Sequence, residues 1–271
     1  MLNLKDALAR GEVLIGPFAV SGSTLMVETI GYAGFDFVII DCEHAPLSPY
    51  GGELENLIRT AWSADICPMV RVTWNDPGQI LKAADMGASA IIVPHVNTAE
   101  DAAAAVSAAH YYPKGRRSAA PVTLGSRRGS IDWPTYYRRE QGQTLVIPLI
   151  EEYAGVENIE EIAAVPDLGG IFFGPFDLGV SMGLPAEAFE PNVSVERERV
   201  YAAAKANGLP VFDLAWNPDS ALDKIGKGAQ VVALGADISL FAGAANALAG
   251  ACADAKKEAA ARATAGDGRG A

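Results

Sequence analysis

The stretch Phe35-Asp36-Phe37-Val38-Ile39-Ile40-Asp41-Cys42-Glu43-His44 decides the fold, because an apolar run of strand length ends abruptly in polar and charged residues. The same pattern recurs where residues 68–70 end in Arg71, where residues 144–150 end in Glu151-Glu152, and where residues 170–176 end in Asp177. In a parallel barrel the carboxyl ends of all strands meet at one rim. We therefore expect these charged side chains to form one site, although they are far apart in the sequence.

Apolar runs of strand length alternate with segments of helical periodicity along the whole chain. There are eight such runs, at residues 13–19, 35–40, 68–72, 88–93, 145–150, 170–173, 209–214 and 230–234. Eight strand–helix units predict an α/β fold of the (β/α)8 or TIM barrel type. We expect one domain over residues 1–255. A flexible tail is expected over residues 256–271, where the composition thins to Ala, Gly and charged residues.

Composition excludes several classes of protein. Half of the 271 residues are hydrophobic and the formal net charge is -12, which opposes non-specific binding to nucleic acid or to an anionic membrane. The cysteines are too few and scattered for a disulfide framework. No secretory signal or apolar run of membrane-spanning length is apparent, so we expect a cytoplasmic protein. No glycine-rich phosphate loop follows a strand, so no nucleotide cofactor is expected.

Two acidic residues are candidates for a metal site. Glu151 and Asp177 follow neighbouring strands five and six, and two carboxylates with room for water suit Mg²⁺, Mn²⁺ or Co²⁺. The alternative is that both are surface acids that cap helices. Glu152 is the rival to Glu151, because a shift of one residue in register exchanges them.

A histidine and an arginine are candidates for proton transfer and charge stabilisation. His44 lies three residues after Asp41, which is a suitable carboxylate to orient an imidazole general base. Arg71 ends strand three and suits a carboxylate or a developing enolate oxygen, although a buried salt bridge to Asp41 or Glu43 is its alternative role. His95 also follows a strand and is a candidate substrate contact.

Two further features concern the mechanism and the rim. The run Gly174-Pro175-Phe176-Asp177-Leu178-Gly179 suggests a tight loop whose backbone N–H groups hold an anionic substrate end. The lysines fall on helices, loops or termini, so no Schiff-base lysine is expected inside the barrel. The arginine-rich segment 114–142 is too long for an idle connection, and we interpret it as a lid or a subunit contact.

At these residues the chain resembles the HpcH/HpaI aldolase family of metal-dependent class II pyruvate aldolases. The resemblance extends from about Ile15 to Phe241 and is most specific at four stretches, residues 37–46, 70–77, 150–151 and 174–178. It implies a TIM barrel of the phosphoenolpyruvate/pyruvate type with an exchanged C-terminal helix. It also implies a homo-oligomer, a hexamer arranged as a trimer of dimers.

The resemblance assigns roles to individual residues. It implies Glu151 and Asp177 as metal ligands, His44 as the base with Asp41 beside it, and Arg71 as the enolate stabiliser. It further implies a backbone contact from Phe176 to the substrate, and a helix acid, Asp85, that supports the histidine.

The chain also departs from the family pattern. Leu149 stands where many relatives have a substrate-contacting glutamine, and His95 stands where some have an apolar residue. Residues 118–137 lack an obvious counterpart. Specificity is therefore expected to depend on Phe18, Leu149, His95 and the arginine-rich segment.

The expected reaction is the reversible aldol cleavage of 4-hydroxy-2-oxo acids to pyruvate, or a related 2-oxo acid, and an aldehyde. Two alternatives use the same enolate: oxaloacetate decarboxylation, with or without bond formation of the macrophomate synthase type, and acyl-CoA lyase chemistry. An alternative of another class is a non-catalytic barrel that binds a 2-oxo acid.

Overall fold

The computed structural model describes residues 2–140 and 142–267, which contain a closed barrel of eight parallel strands. Each strand pairs with the next one along the chain, and the last pairs with the first. The strands are β1 Leu14–Ala19, β2 Phe37–Asp41, β3 Cys67–Arg71, β4 Ala90–Val93, β5 Leu145–Ile150, β6 Ile171–Phe173, β7 Val211–Ala215 and β8 Val231–Ala236. The predicted (β/α)8 barrel and all eight predicted strands are confirmed.

Helices connect the strands, and several begin at a residue whose side chain caps the first turn. Asp76, Thr98 and Asn217 each accept a hydrogen bond from the backbone N–H three residues later. The helices within the described residues are α1 Leu4–Ala9, α2 Thr24–Tyr32, α3 Gly52–Ser63, α4 Pro77–Asp85, α5 Ala99–Ala109, α6 Trp133–Glu140, α7 Tyr153–Glu157, α8 Ile159–Ala163, α9 Pro175–Ser181, α10 Phe189–Ala206, α11 Pro218–Lys227 and α12 Asp237–Asp267, with a 3-10 turn at Ala186–Ala188.

The core has two layers that follow from the alternation of side chains along each strand. On β2, Phe37 and Ile39 belong to the cluster inside the barrel, whereas Val38 and Ile40 belong to the cluster between the barrel and the helices. Leu4 and Leu8 of α1 join the inner cluster. Because the interior is filled with side chains, a ligand can enter only at an end of the barrel.

The last helix, α12, leaves the barrel with its side chains exposed from Ile238 to Ala260. By length and composition alone, its stretch Asp237–Ala260 is long and apolar enough to cross a membrane. The expectation that no run approaches membrane-spanning length is therefore wrong. The helix also continues beyond residue 256 to Asp267, and the division into a domain over 1–255 and a flexible tail over 256–271 stays a prediction. Residues 268–271 lie outside the described residues.

The arginine-rich segment packs on the outer surface of the barrel. The N–H of Gly125 donates to the backbone oxygen of Asp85, at the carboxyl end of α4, and Arg128 forms an ion pair with Glu55 of α3. Of its described residues, none lines the cavity at the carboxyl ends of the strands. Within one chain the segment is therefore not a lid, and its role as a subunit contact stays a prediction.

Candidate active site

A cavity of about 370 Å³ opens at the carboxyl ends of the strands, and we call it the mouth. It brings together most of the residues that the sequence analysis selected, namely Phe18, Asp41, His44, Arg71, Leu149, Glu151, Gly174, Phe176 and Asp177. Its remaining lining residues are Val20, Phe172, Leu214, Trp216, Gly235 and Ala236. The convergence of strand ends predicted from the sequence is thus present.

Arg71 is held by two carboxylates at the edge of the mouth. Its Nε and Nη2 atoms donate to Oδ1 and Oδ2 of Asp41 over 2.8 and 2.7 Å, and its Nη1 lies 3.0 Å from Oε2 of Glu43. The guanidinium also stacks over the Phe18 ring, 4.9 Å from the centroid. Of the two roles that the sequence predicts for Arg71, substrate binding and a buried salt bridge, the salt bridges to Asp41 and Glu43 are present.

His44 reaches the mouth with a side chain that is 63% exposed. Its Nε2 lies 3.8 Å from Oε2 of Glu43, whereas the carboxylate of Asp41 is engaged by Arg71. The expectation that Asp41 orients His44 therefore differs from the structure. The reason is that Asp41 faces Arg71 directly across the β2–β3 pair, and a bidentate pair with a guanidinium satisfies both of its oxygens.

Glu43 is a site residue that the sequence analysis did not select. Its side chain is only 10% exposed, and burial raises the pKa of its carboxyl although Arg71 and both nearby histidines act in the opposite direction. Its Oε2 has no directed hydrogen bond from any described residue, despite its short distance from Arg71. The signal was in the sequence, because Glu43 occupies the same strand end as Asp41 and His44.

Glu151 directly follows β5 and is almost completely buried at the base of the mouth, with 2% of the residue exposed. Its Oε1 accepts a hydrogen bond from the backbone N–H of His95 over 2.9 Å. Burial raises the pKa of Glu151 to about 7, and the negative charges of Glu43 and Asp177 act in the same direction. A cation beside this carboxylate would reverse that shift.

The choice between Glu151 and Glu152 is decided by their positions. Glu152 points away from the mouth, where it accepts hydrogen bonds from the ring of His95 at 2.7 Å and from the Asn97 amide at 2.9 Å. Glu151 lines the mouth. Glu151, rather than Glu152, is therefore the candidate metal ligand.

Gly174 is required by the close approach of Glu151. A Cβ atom at Gly174 would lie 2.6 Å from the Cβ of Glu151, which is closer than real side chains come. The segment after it was predicted as a tight loop, but it begins helix α9 at Pro175. Proline fits the first helical position because its missing N–H has no partner there. Asp177 lies in the first turn of this helix and is exposed to the mouth.

His95 takes a left-handed backbone conformation, with φ of 56°, between β4 and α5. This conformation is uncommon for a residue other than glycine. Its ring packs on Trp74, with 4.6 Å between centroids, and its Nε2 lies 3.5 Å from Oε1 of Glu43. His95 therefore borders the acidic side of the mouth, and a direct substrate contact stays a prediction.

Two sets of side chains offer ligand atoms to a metal ion. The ligand atoms of Glu43, His95 and Glu151 lie within 4.8 Å of one another. However, Glu43 is already paired with Arg71, and the Nδ1 of His95 is bonded to Glu152. Glu151 and Asp177 together offer carboxylate oxygens that face the cavity, and burial, with the nearby charges of Glu43 and Asp177, raises the pKa of Glu151. This second set fits a hard divalent cation better.

Asp85 is not brought to the mouth. It ends α4, and its Oδ1 accepts a hydrogen bond from Nη2 of the buried Arg117 over 2.7 Å. Helices of a TIM barrel end near the amino ends of the strands, which is the opposite side from the mouth. Support of His44 by Asp85 has no counterpart within the described residues of one chain, and it stays a prediction.

A TIM barrel whose strand ends hold converging carboxylates, imidazole and guanidinium is typical of an enzyme rather than of a scaffold. The family model described as HpcH/HpaI aldolase/citrate lyase matches residues 14–244. The chain belongs to this family and is an enzyme of the carbon–carbon lyase class. The alternative of a non-catalytic barrel is therefore not retained.

Individual relatives agree with the family assignment. The chain is 35% identical over 237 residues to a 5-keto-4-deoxy-D-glucarate aldolase of Salmonella arizonae, covering 88% of this chain and 91% of the relative. A family protein from Burkholderia cenocepacia superposes with a TM-score of 0.86 at 30% identity, covering 92% of this chain and 99% of the other.

Two solved structures of different activity are also similar. The citrate synthase SbnG gives a TM-score of 0.83 at 32% identity and covers 95% of this chain and 99% of its own. Macrophomate synthase gives a TM-score of 0.83 at 30% identity and covers 94% of this chain and 89% of its own. The same barrel thus occurs in proteins with different named reactions.

Proposed function

We propose that this enzyme is a divalent-metal-dependent class II aldolase. It reversibly cleaves 4-hydroxy-2-oxo acids to pyruvate, or a related 2-oxo acid, and an aldehyde. The observation that carries the proposal is that Glu151 and Asp177 share one cavity with His44 and Arg71. The aldolase names of the curated relatives support the same type of reaction.

Glu151 and Asp177 are the residues that would hold the ion, and their oxygen ligands suit Mg²⁺, Mn²⁺ or Co²⁺. When bound there, such an ion supplies a Lewis acid that polarises the oxygens of the 2-oxo acid. Gly174 leaves the space that the Glu151 side chain occupies, and the N–H of His95 fixes one oxygen of its carboxylate.

The chain's own side chains then carry the proton and stabilise charge. In the direction of synthesis, the exposed imidazole of His44 takes a proton from carbon three of the 2-oxo acid, directly or through a water. A guanidinium has five N–H donors, and Arg71 uses two of them in its bonds to Asp41. Its Nη1 also lies 3.0 Å from Oε2 of Glu43, which leaves its other N–H groups for the oxygen on which negative charge develops.

A second candidate is oxaloacetate decarboxylation or related carbon–carbon chemistry. The similarity to macrophomate synthase and to a citrate synthase over nearly the whole chain favours keeping it. Acyl-CoA lyase chemistry is a third use of the same site. All three begin from a bound oxo acid, so the products distinguish them.

Product analysis tests the proposal. The enzyme with Mn²⁺ is incubated with pyruvate and an aldehyde, separately with oxaloacetate, and separately with an acyl-CoA and an oxo acid, and the products are identified by NMR. We expect a 4-hydroxy-2-oxo acid from the first mixture. Carbon dioxide from oxaloacetate, or a CoA ester, as the only product would contradict the aldolase assignment.

The proposal extends to the assembly and its place in the cell. We propose a cytoplasmic homo-oligomer, a hexamer arranged as a trimer of dimers, in which α12 is exchanged between subunits. The exposed apolar side chains of α12, among them Phe241 at 65% and Leu248 at 68%, support a partner surface for this helix. The mass in solution by light scattering tests it, and a monomer, or recovery only with membranes, would contradict it.

A further inference from the structure

The mouth has a polar half and an apolar half. Asp41, Arg71 and Glu151 line it from the ends of β2, β3 and β5. Another part of the lining is apolar, with Leu214 and Trp216 at and just after the end of β7 and Phe176 in the first turn of α9. The oxygens of a 2-oxo acid need the polar half, so the rest of the substrate must extend over the apolar half.

Two aromatic side chains form the outer edge of the apolar half. Phe176 of α9 and Trp216 pack edge to face, with ring centroids 5.5 Å apart and an interplanar angle of 71°. They are 47% and 60% exposed, although large aromatic groups are normally well buried. Behind them lies a second cavity of about 190 Å³, which both residues line together with Phe189.

The cationic side chains near the apolar half are already paired with carboxylates. Arg71, the one guanidinium among the described lining residues of the mouth, is paired with Asp41 and Glu43. Asp237, where β8 ends, is buried and accepts hydrogen bonds from Val20 and Ser21. The second cavity also includes Arg197 and Lys224, which are paired with Asp213 and Asp223 at 2.9 and 3.3 Å. An acceptor with its own carboxylate would therefore lose hydration here without gaining a free cation.

We propose that the acceptor is an uncharged aldehyde with an apolar chain or ring, which packs against Phe176 and Trp216. This inference rests on the proposed aldolase function and narrows its substrate class. Each methylene buried against the two rings raises kcat/KM about fourfold, as expected from the transfer of a methylene out of water. A terminal carboxylate on a chain of similar length lowers kcat/KM at least about tenfold.

The test is a series of aldehydes with pyruvate and Mn²⁺. We expect kcat/KM to rise from acetaldehyde through propanal and butanal to pentanal, and pentanal to exceed succinic semialdehyde. A flat series, or a preference for glyoxylate or succinic semialdehyde, would overturn the inference.

Variants connect the preference to the aromatic pair. In Trp216→Ala the rise in kcat/KM with each added methylene is lost. Trp216→Phe keeps most of this rise, because a ring still packs on Phe176. Tyr32→Ala is the control, because it removes an exposed aromatic group at the end of α2. In this variant kcat/KM rises along the aldehyde series as in the wild type. An unchanged series in Trp216→Ala would overturn the proposed contact.

Exchange of the pyruvate methyl protons with deuterated solvent separates the two hypotheses. For each variant, kcat/KM for an aldehyde is divided by the rate of methyl-proton exchange. A general loss of activity lowers both quantities and therefore does not change their ratio. Exchange together with a preference for charged aldehydes contradicts only the inference about the acceptor. Absence of exchange and of any aldol product contradicts the proposed function, and the inference with it.

Discussion

Asp41 and Arg71 are direct partners across β2 and β3, and their side chains form a bidentate ion pair at the mouth. The Asp41 side chain is completely buried, whereas 12% of the Arg71 side chain remains accessible. The strand register thus fixes the plane of a guanidinium beside the proposed substrate site. This arrangement depends on the forked geometry of arginine and not only on its charge.

Arg71→Lys is expected to lower kcat about 100-fold, because lysine cannot make two parallel bonds to Asp41 and still donate to the developing oxyanion. The free energy of unfolding should fall by about 2 kcal/mol, since Asp41 stays buried with a poorer partner. Steady-state kinetics and urea denaturation measure the two effects. Arg59→Lys is the matched control, because Arg59 is half exposed and pairs with Glu55 on the surface of α3. Full kcat in Arg71→Lys would contradict the assigned role.

Gly174→Ala is expected to displace the Glu151 carboxylate. The backbone φ of -104° at Gly174 suits alanine, so the effect comes from the added Cβ and its 2.6 Å approach to Glu151. We expect Mn²⁺ affinity, measured by electron paramagnetic resonance, to fall at least about tenfold. Overpacking should also lower the free energy of unfolding by about 2 kcal/mol.

Gly226→Ala is the control for that substitution. Gly226 lies within α11, and a Cβ there meets no atom of residues 2–140 and 142–267 within 4 Å. This variant should bind Mn²⁺ normally and gain about 0.5 to 1 kcal/mol of stability, because alanine favours the helix. Equal metal affinity in both variants would show that Gly174 does not position the ligand.

His110 is expected to make the protein sensitive to acid. It is buried, its Nδ1 has no hydrogen-bond partner in the part of the chain that the structure describes, and burial lowers its pKa from 6.5 to about 4. Above pH 6.5 both folded and unfolded states are neutral at this residue, and stability is intact. As the pH falls toward 4, only the unfolded state takes up the proton, so stability is lost.

His110→Phe removes this contribution. Between pH 7 and pH 4 the free energy of unfolding of the wild type should fall by up to about 3 kcal/mol more than that of the variant. Urea denaturation at several pH values measures the difference. Parallel pH dependence in the two proteins would refute the assignment to His110.

Treatment with pyruvate and borohydride should leave the enzyme active. Among the described residues, those that line the mouth include no lysine, so no imine is expected to form with the 2-oxo acid. Mass spectrometry after reduction measures this. A reduced pyruvate adduct on a lysine, with loss of activity, would contradict the metal-dependent mechanism.

The fold was predictable because strand and helix periods alternate clearly along the chain. The predicted strand at 145–150 has the same bounds in the structure. The strand predicted from residue 35 begins at Phe37, because the carboxylate and the N–H of Asp36 bond the backbone of Ile15 on β1. A difference of this kind between a predicted and an observed strand boundary arises from contacts between strands, which the sequence of one strand does not reveal.

The positions of the site residues were more predictable than their partners. Strand ends correctly placed Asp41, Arg71, Glu151 and Asp177 in the mouth. Whether Asp41 faces Arg71 or His44 depends on the β2–β3 register, which sequence spacing does not determine. Trp216 is not predicted as a site residue, because the signal for the site in the sequence is a charged residue, and not an aromatic one, after a strand.

The most direct test of the central claim is exchange of the pyruvate methyl protons in deuterated water, followed by NMR with and without a divalent ion. The account predicts exchange with Mg²⁺ or Mn²⁺, loss of at least about 100-fold in excess chelator, and recovery on adding the metal. Glu151→Gln and Asp177→Asn should abolish the metal-dependent exchange, whereas Glu152→Gln should retain it. Full exchange in excess chelator, or full exchange in Glu151→Gln, would contradict it.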